Sequence, residues 1–374
     1  MKIVYSTRPY LGHLYPFVPL GRDLYARGNE VAVASGPELI PAVDQAGFTW
    51  LPAGLHPNEA LARFPAGDSD YGIETVRVKV NDLLEVLMNW YQPQVLIREP
   101  TDLAAAIAAE VSGVASISLG VSHFIPVTSW SYLAAQSLQT LRREYRLPPD
   151  PALSFLHRGL YLDTVPPSFE EFAGGPPRGL LPISYRSWDG DDAASQDLVD
   201  LDDQRSGVLV SLGTVYNDEP KLLKLFMAAL DQPDLRVICT TGAGAAPPAT
   251  LPANVQVVDY APHSALLPHC RVLLCHGGFN TVMGALALGV PVVCVPLGAD
   301  QYFNAERCEA LGAGVRLERE GLTPSAVRAA VRNVLDDPSY AAAAEAIRAE
   351  IEALPGPETV SVIVEQFAAT AVGR

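Results

Sequence analysis

The residues with the clearest chemical potential form a strand, a glycine turn and a helix start in the second half of the chain. An apolar strand predicted at 272–275 leads into the tripeptide His-Gly-Gly at 276–278, and a helix is predicted to begin near Asn280 and Thr281. The first N–H groups of a helix have no intrahelical partner and carry the positive end of its dipole, so they bind anions. The glycines let a phosphate approach the backbone. The pattern therefore predicts a diphosphate site.

A carboxylate and an amide follow the next predicted strand, residues 291–296. Asp300 and Gln301 stand just beyond its carboxyl end. Together they offer the acceptors and donors that suit neighbouring hydroxyl groups of a sugar. Combined with the glycine turn, they predict a site for a sugar joined to a diphosphate.

His13 is the candidate proton acceptor of the first half. It follows a strand predicted at residues 2–6 and is expected to open the next helix. The dipole at a helix start disfavours the charged imidazole, which keeps the ring neutral and able to take a proton near pH 7.

Strands and helices alternate along both halves of the chain, and this pattern predicts how the candidate residues are positioned. Strands are predicted at residues 2–6, 30–34, 50–52, 95–99 and 115–119, and again at 207–211, 235–240, 255–258, 272–275 and 291–295. Such alternation indicates mostly parallel sheets with helices on both faces and ligands beyond the carboxyl ends of the strands. Residues 53–72 are predicted to form a loop and residues 174–205 a linker, because both are rich in Gly, Pro, Ser and Asp.

The length of the chain predicts two domains, since 374 residues exceed what one hydrophobic core usually supports. We expect an acceptor-binding domain at residues 1–190 and a donor-binding domain at 206–356. A helix at 357–374 is expected to return to the first domain.

Composition excludes several classes of partner. A net charge of −16 argues against nucleic acids and anionic membranes, which both require basic patches. Apolar runs are interrupted before they could span a bilayer, and the first residues lack the features of a signal peptide, so we expect a cytoplasmic protein. The five cysteines form no C-x-x-C pair and are expected to be buried reduced thiols, and no metal site is predicted.

The segment 258–315 resembles the donor-binding signature of the UDP-glycosyltransferase superfamily with the GT-B fold, and it is most similar to bacterial members that glycosylate antibiotics and macrolides. In that family an aromatic residue, a Pro-Gln pair, HxGxx(S/T), a GVP turn and an Asp-Gln pair recur in this order. Here they appear as Tyr260, Pro262-His263, residues 276–281, residues 289–291 and Asp300-Gln301. Two positions depart from the commonest pattern, because His263 replaces Gln and Tyr260 replaces Trp.

The resemblance implies a GT-B architecture of two Rossmann-like, doubly wound domains that face each other across a cleft. It also implies that residues 260–263 bind the base, the glycine turn binds the diphosphate and the Asp-Gln pair binds the sugar. Ser-x-Gly-Thr at 211–214 resembles a second loop of the family that closes over the diphosphate. The implied donor-binding residues are Gly213, Thr214, Tyr260, Ala261, His263, His276, Gly277, Gly278, Asn280, Thr281, Asp300 and Gln301.

Residues 12–16, Gly-His-Leu-Tyr-Pro, resemble the family pattern G-H-x-x-P, whose His deprotonates the acceptor. The family places an acid at a strand end roughly ninety residues on, and this position matches Glu99, with Asp102 as the alternative partner of His13. The implied reaction is an inverting, metal-independent transfer of a sugar or deoxysugar from a dTDP- or UDP-sugar, with no cofactor.

The implied acceptor is a hydroxyl group of an apolar natural-product aglycone. Aromatic residues of the first half are enough to line its pocket, although most of them are expected to be ordinary core residues. The candidates are Tyr10, Trp90, Phe124 and Trp130. A homodimer is left open by the sequence.

Four other functions fit parts of the sequence. A dinucleotide-binding dehydrogenase is disfavoured because Pro247 follows the best glycine match, 242–244, where a helix should start. A metal-dependent transferase would need a D-x-D motif at a strand end, and the matches at 68–70 and 189–191 lie in loop-like segments. An epimerase or hydrolase on the same fold, and a non-catalytic nucleotide-sugar-binding partner protein, remain as alternatives.

Overall fold

The structure of the protein is a computed structural model that describes residues 1–63, 72–126, 128–129, 134–172, 175–186, 188–190, 205–213, 219–242 and 251–372. The chain divides into two compact units. The first unit comprises Met1–Val165, Glu170–Ser184 and Pro355–Arg374, and the second comprises Pro166–Phe169 and Tyr185–Leu354. Residues 185–190, which the sequence placed in the first domain, thus group with the second unit.

Each unit is built on one sheet, and every strand pairing among the described residues is parallel. The strands of the first unit are β1 (Lys2–Ser6), β2 (Glu30–Ser35), β3 (Thr49–Pro52), β4 (Val95–Arg98), β5 (Ala115–Leu119), β6 (Leu160–Asp163) and β7 (Leu180–Pro182). Those of the second unit are β8 (Ser206–Ser211), β9 (Leu235–Thr240), β10 (Val255–Val258), β11 (Val272–Cys275), β12 (Val292–Cys294) and β13 (Gly314–Arg316).

The strand orders are β3-β2-β1-β4-β5-β6-β7 and β10-β9-β8-β11-β12-β13. In each sheet the chain winds first to one side of its opening strand and then to the other, so the order reverses between β1 and β4 and between β8 and β11. The carboxyl ends of the strands beside such a reversal form the usual ligand-binding crevice of a doubly wound sheet. The predicted fold class, with two doubly wound α/β domains, is confirmed.

Helices connect the strands. They are α1 (Leu11–Leu14), α2 (Val18–Ala26), α3 (Ile40–Ala46), α4 (Pro57–Arg63), α5 (Ile73–Leu84), α6 (Leu103–Ser112), α7 (Ala135–Glu144), α8 (Pro220–Leu230), α9 (His263–Leu266), α10 (Phe279–Leu286), α11 (Gln301–Ala310), α12 (Pro324–Asp336), α13 (Pro338–Ala353) and α14 (Pro357–Val372). Short 3-10 helices span Pro37–Leu39, Ser154–His157 and Leu267–His269, and a π-helical stretch spans Glu85–Trp90.

Two segments that the sequence assigned to irregular structure contain regular elements. Helix α4 lies within the predicted loop at 53–72, and β7 lies within the predicted linker at 174–205. Both elements are short and are flanked by turn-forming residues. Their periodic patterns are therefore too brief to be recognised against a composition that is typical of loops. The structure corrects both predictions.

The central strands explain why the sheets need cover on both faces. Ile3, Val4 and Tyr5 on β1 and Val208 and Leu209 on β8 are fully buried, although successive side chains of a strand point to opposite faces. Such continuous apolar strands are typical of parallel sheets that lie between two helical layers.

The C-terminal helix α14 belongs to the first unit. Val360, Val364 and Ala368 recur at a spacing of four residues and are buried, which indicates an apolar stripe that packs on this unit. The guanidinium of Arg27, the residue after α2, pairs with Glu365 at 2.8 Å. Because both side chains of this pair are partly exposed, the buried apolar stripe contributes more than the ion pair to the packing of α14 on the first unit.

All five cysteines are free and buried, as the sequence predicted. Within the described residues, no helix is both long and apolar enough to cross a membrane.

Candidate functional site

His13 and Glu99 meet at the carboxyl edge of the first sheet, beside the reversal between β1 and β4. Glu99 directly follows β4, and His13 lies in the short helix that follows β1. The imidazole Nδ1 is 3.1 Å from Glu99 Oε1. The carboxylate is fully buried, whereas 24% of the His13 side chain is exposed. The structure therefore brings these two predicted residues together and leaves part of the His13 side chain exposed.

The surroundings of Glu99 keep its carboxylate ionised. Burial alone would raise its pKa, but the charge and hydrogen bond of His13, the charge of Arg8 and the Thr101 hydroxyl lower it to about 2. The Thr101 backbone N–H donates a further hydrogen bond of 2.6 Å to Oε2. A buried carboxylate that stays charged can hold His13 Nδ1 as the N–H donor, which leaves Nε2 as the nitrogen that can accept a proton.

The position of His13 within its helix differs from the prediction. Helix α1 has only four residues, Leu11–Leu14, and His13 is the third of them. The prediction that His13 opens a helix is therefore wrong, because the helix begins at Leu11. The pairing with Glu99 orients the imidazole. The Tyr5 hydroxyl donates a 2.7 Å hydrogen bond to the His13 carbonyl and thereby fixes the backbone of this residue.

Asp102, the alternative partner, is occupied elsewhere. Its carboxylate lies 2.8 Å from the Lys79 ammonium group and accepts a 2.6 Å hydrogen bond from the Ser6 hydroxyl. It also caps α6 by accepting from the Ala105 N–H. These contacts make Asp102 a structural residue that ties β1, α5 and α6 together.

A cavity of about 420 Å³ lies beside the segment that carries His13. Its walls are mostly apolar and come from both sides of α1 and from the β2–α3 connection. The lining residues are Pro9, Leu11, Tyr15, Glu38, Leu39, Pro41, Ala42 and Gln45. The sequence analysis did not assign this cavity, although its first three residues flank the Gly-His motif.

The four aromatic candidates for the acceptor do not form one group. The Tyr10 ring lies 5.6 Å from the His13 ring. Phe124 follows β5 at the same edge of the sheet and packs 4.8 Å from His157 and 5.5 Å from Tyr161. Trp130 lies outside the described residues, as does Thr214 of the donor set.

Trp90 is at the other end of the sheet. Its neighbour Tyr91 accepts a hydrogen bond from Lys2 Nζ at 3.3 Å, and Lys2 is the first residue of β1. The exposed Trp90 ring thus stands at the amino ends of the strands, away from Glu99. The structure corrects its assignment, because the sequence cannot show at which edge of a sheet an aromatic side chain emerges.

Three polar side chains near Phe124 were not predicted. Arg98 Nη1, both ring nitrogens of His157 and the Tyr161 hydroxyl are buried without a hydrogen-bond partner among the described residues. Burial and, to a smaller extent, the nearby charge of Arg98 lower the pKa of His157 to about 4. The position of Arg98 at the carboxyl end of β4 could have suggested this residue, but the other two groups depend on tertiary packing.

In the second unit, the carboxyl ends of β8 and β11 bring His276 between two glycines. A Cβ atom on Gly213 would lie 2.5 Å from His276 Cε1, and one on Gly278 would lie 2.5 Å from His276 Nε2. Neither distance is compatible with a side chain, so the ring fixes glycine at both positions. Burial lowers the pKa of His276 to about 4, although the nearby Asp300 carboxylate opposes this shift. The ring is therefore neutral.

The glycine turn leads directly into α10. Gly277 has a φ of +86°, which favours glycine, and its N–H points to Cys275 Sγ at 3.4 Å. Gly278 is the residue before the helix, so Asn280 and Thr281 lie in the first helical turn, as predicted. The Tyr185 hydroxyl is 3.3 Å from the Asn280 side-chain oxygen. The helix start has the backbone geometry of an anion site.

Asp300 and Gln301 lie at the start of α11, beyond the carboxyl end of β12. The Gln301 side-chain oxygen accepts hydrogen bonds from the N–H groups of Leu297 and Gly298, at 2.8 and 3.1 Å. Its oxygen therefore stabilises the preceding turn, and its predicted contact with a sugar stays a prediction. The Asp300 carboxylate accepts a 3.2 Å hydrogen bond from Asn304, a residue that the sequence analysis did not assign.

The segment predicted to face the base, residues 260–263, leads into the short helix α9. Ala261 is buried, and half of the Tyr260 side chain is exposed. His263 Nε2 is 3.3 Å from the Thr240 hydroxyl, and burial lowers the pKa of this ring. The Asp189 carboxylate accepts hydrogen bonds from the Ser264 N–H and hydroxyl at 2.9 and 2.7 Å.

Metal-binding clusters of three or more His, Cys, Asp or Glu residues are absent from the part of the chain that the structure describes. The D-x-D match at 68–70 lies outside the described residues, and Asp189 of the other match caps α9.

Comparisons with known proteins show which proteins this chain resembles. A family described as "Erythromycin biosynthesis protein CIII-like, C-terminal domain" matches residues 224–367. The 4'-demethylrebeccamycin synthase of Lentzea aerocolonigenes is 29% identical over 94% of this chain and 96% of that protein. The 3-alpha-mycarosylerythronolide B desosaminyl transferase of Saccharopolyspora erythraea is 28% identical over 99% of both.

Solved structures are similar over the full length of the chain. The spinosyn forosaminyltransferase SpnP superposes with a TM-score of 0.84 at 23% identity and covers 99% of both chains. The glycosyltransferase SsfS6 of Streptomyces sp. SF2575, in complex with thymidine diphosphate, has a TM-score of 0.80 at 26% identity, covering 98% of this chain and 99% of that one.

Proposed function

We propose a specific reaction for this chain, which is a glycosyltransferase with the GT-B fold and is related to macrolide and antibiotic glycosyltransferases. It moves a sugar or deoxysugar from a thymidine or uridine diphosphate sugar to a hydroxyl group of an apolar aglycone. The transfer inverts the anomeric carbon and requires no metal ion. The first unit activates the acceptor, and the second unit holds the donor.

The buried Glu99 carboxylate at 3.1 Å from His13 Nδ1 is the observation that carries the proposal. With Nδ1–H donated to Glu99, His13 Nε2 takes the proton from the acceptor hydroxyl while the oxygen attacks the anomeric carbon. Glu99 then stabilises the imidazolium that forms. A single displacement of this kind inverts the configuration at the anomeric carbon, and the diphosphate leaves with the electron pair of the broken bond.

The start of α10 supports the assignment of the leaving group. The turn at Gly277 and Gly278 presents backbone N–H groups and the positive end of an eight-residue helix. Such fixed dipoles stabilise the charge that develops on a departing diphosphate without reorganising. The neutral His276 contributes shape to this turn and no charge. The thymidine diphosphate bound to the related SsfS6 makes thymidine diphosphate sugars the first donors to test.

The cavity beside His13 supports an apolar acceptor. Its lining includes Pro9, Leu11 and Leu39, and its volume of about 420 Å³ is in the range of small-molecule pockets. Tyr10 stands beside the base and Phe124 lies at the same edge of the sheet. The names of the related enzymes indicate polycyclic and macrolide acceptors, so both classes belong in a first panel of substrates.

Replacement of His13 by Ala tests the proposal. General-base assistance is typically worth about 10² to 10⁴ in rate, so turnover should fall by that factor while thymidine diphosphate binds as before. His56→Ala, at a partly exposed histidine of the same unit, is the matched control and should retain transfer. Unchanged transfer by His13→Ala would remove the base assignment. Hydrolysis of the donor without transfer by the wild type would favour a hydrolase instead.

A chelator tests metal independence. Backbone donors at the glycine turn supply positive potential, and Asp189 is engaged by Ser264. Addition of EDTA should therefore leave turnover unchanged, and loss of activity that Mg²⁺ or Mn²⁺ restores would overturn this part of the proposal.

The anomeric configuration of the product tests the single displacement. NMR of the product should show an inverted anomeric configuration, and a retained one would contradict a single displacement.

A further inference from the structure

Asn304 joins the two elements that the proposed function assigns to the donor. It is fully buried in α11, one helical turn after Asp300. Its side-chain nitrogen donates a 3.0 Å hydrogen bond to the Gly277 carbonyl and a 3.2 Å hydrogen bond to Asp300 Oδ2. One amide group therefore contacts both the diphosphate turn and the carboxylate assigned to the sugar.

We infer that Asn304 is a positioning residue for the donor sugar, because it sets the Asp300 carboxylate at a fixed place relative to the Gly277 turn. The inference rests on the proposed function and deepens it. Asn304 itself has no exposed surface, so it acts through Asp300 and not by touching the sugar.

The chemistry of the amide fits this role. An NH₂ group offers two donors, and both are directed at oxygen acceptors here. A hydrogen bond from a fully buried donor to a carboxylate is stronger than one between neutral groups. A buried amide without partners would destabilise the fold, so these two bonds must persist while the unit is folded. The pair of bonds thus restricts the rotamer of Asp300.

The local backbone needs such restraint. Ala299, the residue before Asp300, has a φ of +53°, a left-handed conformation that non-glycine residues rarely adopt. Gln301 holds one side of this turn through the N–H groups of Leu297 and Gly298. Asn304 holds the other side through Asp300. Strained backbone of this kind persists only where surrounding contacts determine it.

The inference separates two parts of donor recognition. The nucleoside diphosphate contacts the turn and the start of α10, whereas the sugar contacts Asp300. Loss of the Asn304 amide should therefore weaken recognition of the sugar more than recognition of the nucleoside diphosphate. A residue with a purely structural role would weaken both alike.

The experiment compares two ligands on the full-length protein. Calorimetry gives the dissociation constants of thymidine diphosphate and thymidine diphosphate glucose, and the corresponding uridine pair provides a second measure. In Asn304→Ala the affinity for the diphosphate should change by less than about threefold. The gain from the sugar, which is the ratio of the dissociation constant of the diphosphate to that of its sugar derivative, should fall about tenfold. This is the size expected for one charge-assisted hydrogen bond.

Two further variants separate loss of the hydrogen bonds from the cavity that Asn304→Ala would leave. Asn304→Asp keeps the shape but places an oxygen opposite the Gly277 carbonyl and Asp300, so it should also lose the gain from the sugar. Asn254→Ala is the matched control, because Asn254 is buried in the same unit and donates to the carbonyls of Leu230, Gln232 and Leu235. It should lower stability and leave the ratio of the two dissociation constants unchanged.

The coupling with Asp300 decides the mechanism. In an Asp300→Ala background, Asn304→Ala should remove nothing further from the gain due to the sugar. The inference would be overturned, while the proposed function stands, if the effects of Asn304→Ala and Asp300→Ala on this gain were fully additive. It would also be overturned if Asn304→Ala alone left the ratio of the two dissociation constants unchanged. Failure of the wild type to bind either nucleoside diphosphate or either sugar nucleotide would overturn both.

Discussion

Two histidines, one in each unit, follow central strands of doubly wound sheets yet have opposite surroundings. His13 lies in the short helix after β1, is partly exposed, and has its Nδ1 3.1 Å from a buried carboxylate. His276 directly follows β11, is buried, and packs between Gly213 and Gly278. Burial lowers the pKa of the His276 ring to about 4. The same residue type, after different central strands of two similar sheets, thus has surroundings that suit two different tasks.

The difference shows that an adjacent buried carboxylate, and not the position at a strand end, makes a histidine suitable for proton transfer. Glu99 can stabilise the cationic ring that proton transfer produces. His276 has no such pairing, and its shape rather than its charge determines the conformation of the glycine turn. A histidine beside a phosphate-binding turn therefore need not be a cation.

Replacement of Glu99 by Gln should have the largest effect. Glutamine keeps the shape and an oxygen acceptor for Nδ1–H but removes the charge that stabilises the His13 imidazolium. Turnover should fall about 10²-fold, within the range of general-base effects, whereas affinity for thymidine diphosphate should not change. Steady-state kinetics and calorimetry on the same preparation measure the two quantities.

Asp102→Asn provides the contrast for this variant. It breaks the buried pair with Lys79 at 2.8 Å, which typically costs about 3 to 5 kcal/mol of stability. The free energy of unfolding should fall, while the turnover of the folded fraction should remain close to that of the wild type. If Asp102→Asn slowed transfer as much as Glu99→Gln, the two carboxylates would share the role that we assign to Glu99 alone.

The sequence predicted the fold class and the strands that carry both histidines, because apolar runs such as 272–275 are followed by glycine turns. It did not predict β6, β7 or β13, which have three or four residues each and too few alternations to give a periodic signal. β7 and β13 are edge strands and β6 is next to an edge. Such short strands form because a neighbouring strand supplies hydrogen-bond partners, which the local sequence does not show.

Replacement of Gly278 by Ala should have the next largest effect. The backbone at Gly278 has a φ of −62°, which alanine adopts without strain, so the only obstacle is the His276 ring at 2.5 Å. Overpacking of this kind costs about 1 to 3 kcal/mol. Since the displaced turn is assigned to the diphosphate, affinity for thymidine diphosphate should fall about 10- to 100-fold in calorimetry.

Gly284→Ala is the matched control in the same helix. A Cβ atom at Gly284 would meet nothing within 4 Å, and alanine is a better helix former than glycine. This variant should gain about 0.5 to 1 kcal/mol of stability and bind thymidine diphosphate as before. Wild-type affinity in Gly278→Ala would show that the turn does not hold the nucleotide.

Prediction of the site from the sequence was limited by contacts that only the folded chain reveals. The Gly-His motif and the acid after β4 were recognised, but the fixed orientation of Glu99 depends on Thr101, and that of Asp300 depends on Asn304. Trp90 was misassigned because an aromatic residue carries no information on the edge of the sheet that it occupies. Local patterns thus identify reactive groups more readily than the groups that orient them.

The pH dependence of stability gives the smallest effect and compares the histidines most directly. With a folded pKa of about 4 and an ordinary value of 6.5, His276 takes up a proton in the unfolded chain before the folded one. Above pH 6.5 this difference does not affect the free energy of unfolding. As the pH falls toward 4, protonation stabilises the unfolded chain, and the free energy of unfolding is about 2 kcal/mol lower at pH 5. Denaturant unfolding of the wild type and of His276→Asn at pH 7.5 and pH 5 measures it, since the variant should lose less stability between the two. Equal losses in both proteins would mean that the ring is not held neutral by burial, and the contrast with His13 would then disappear.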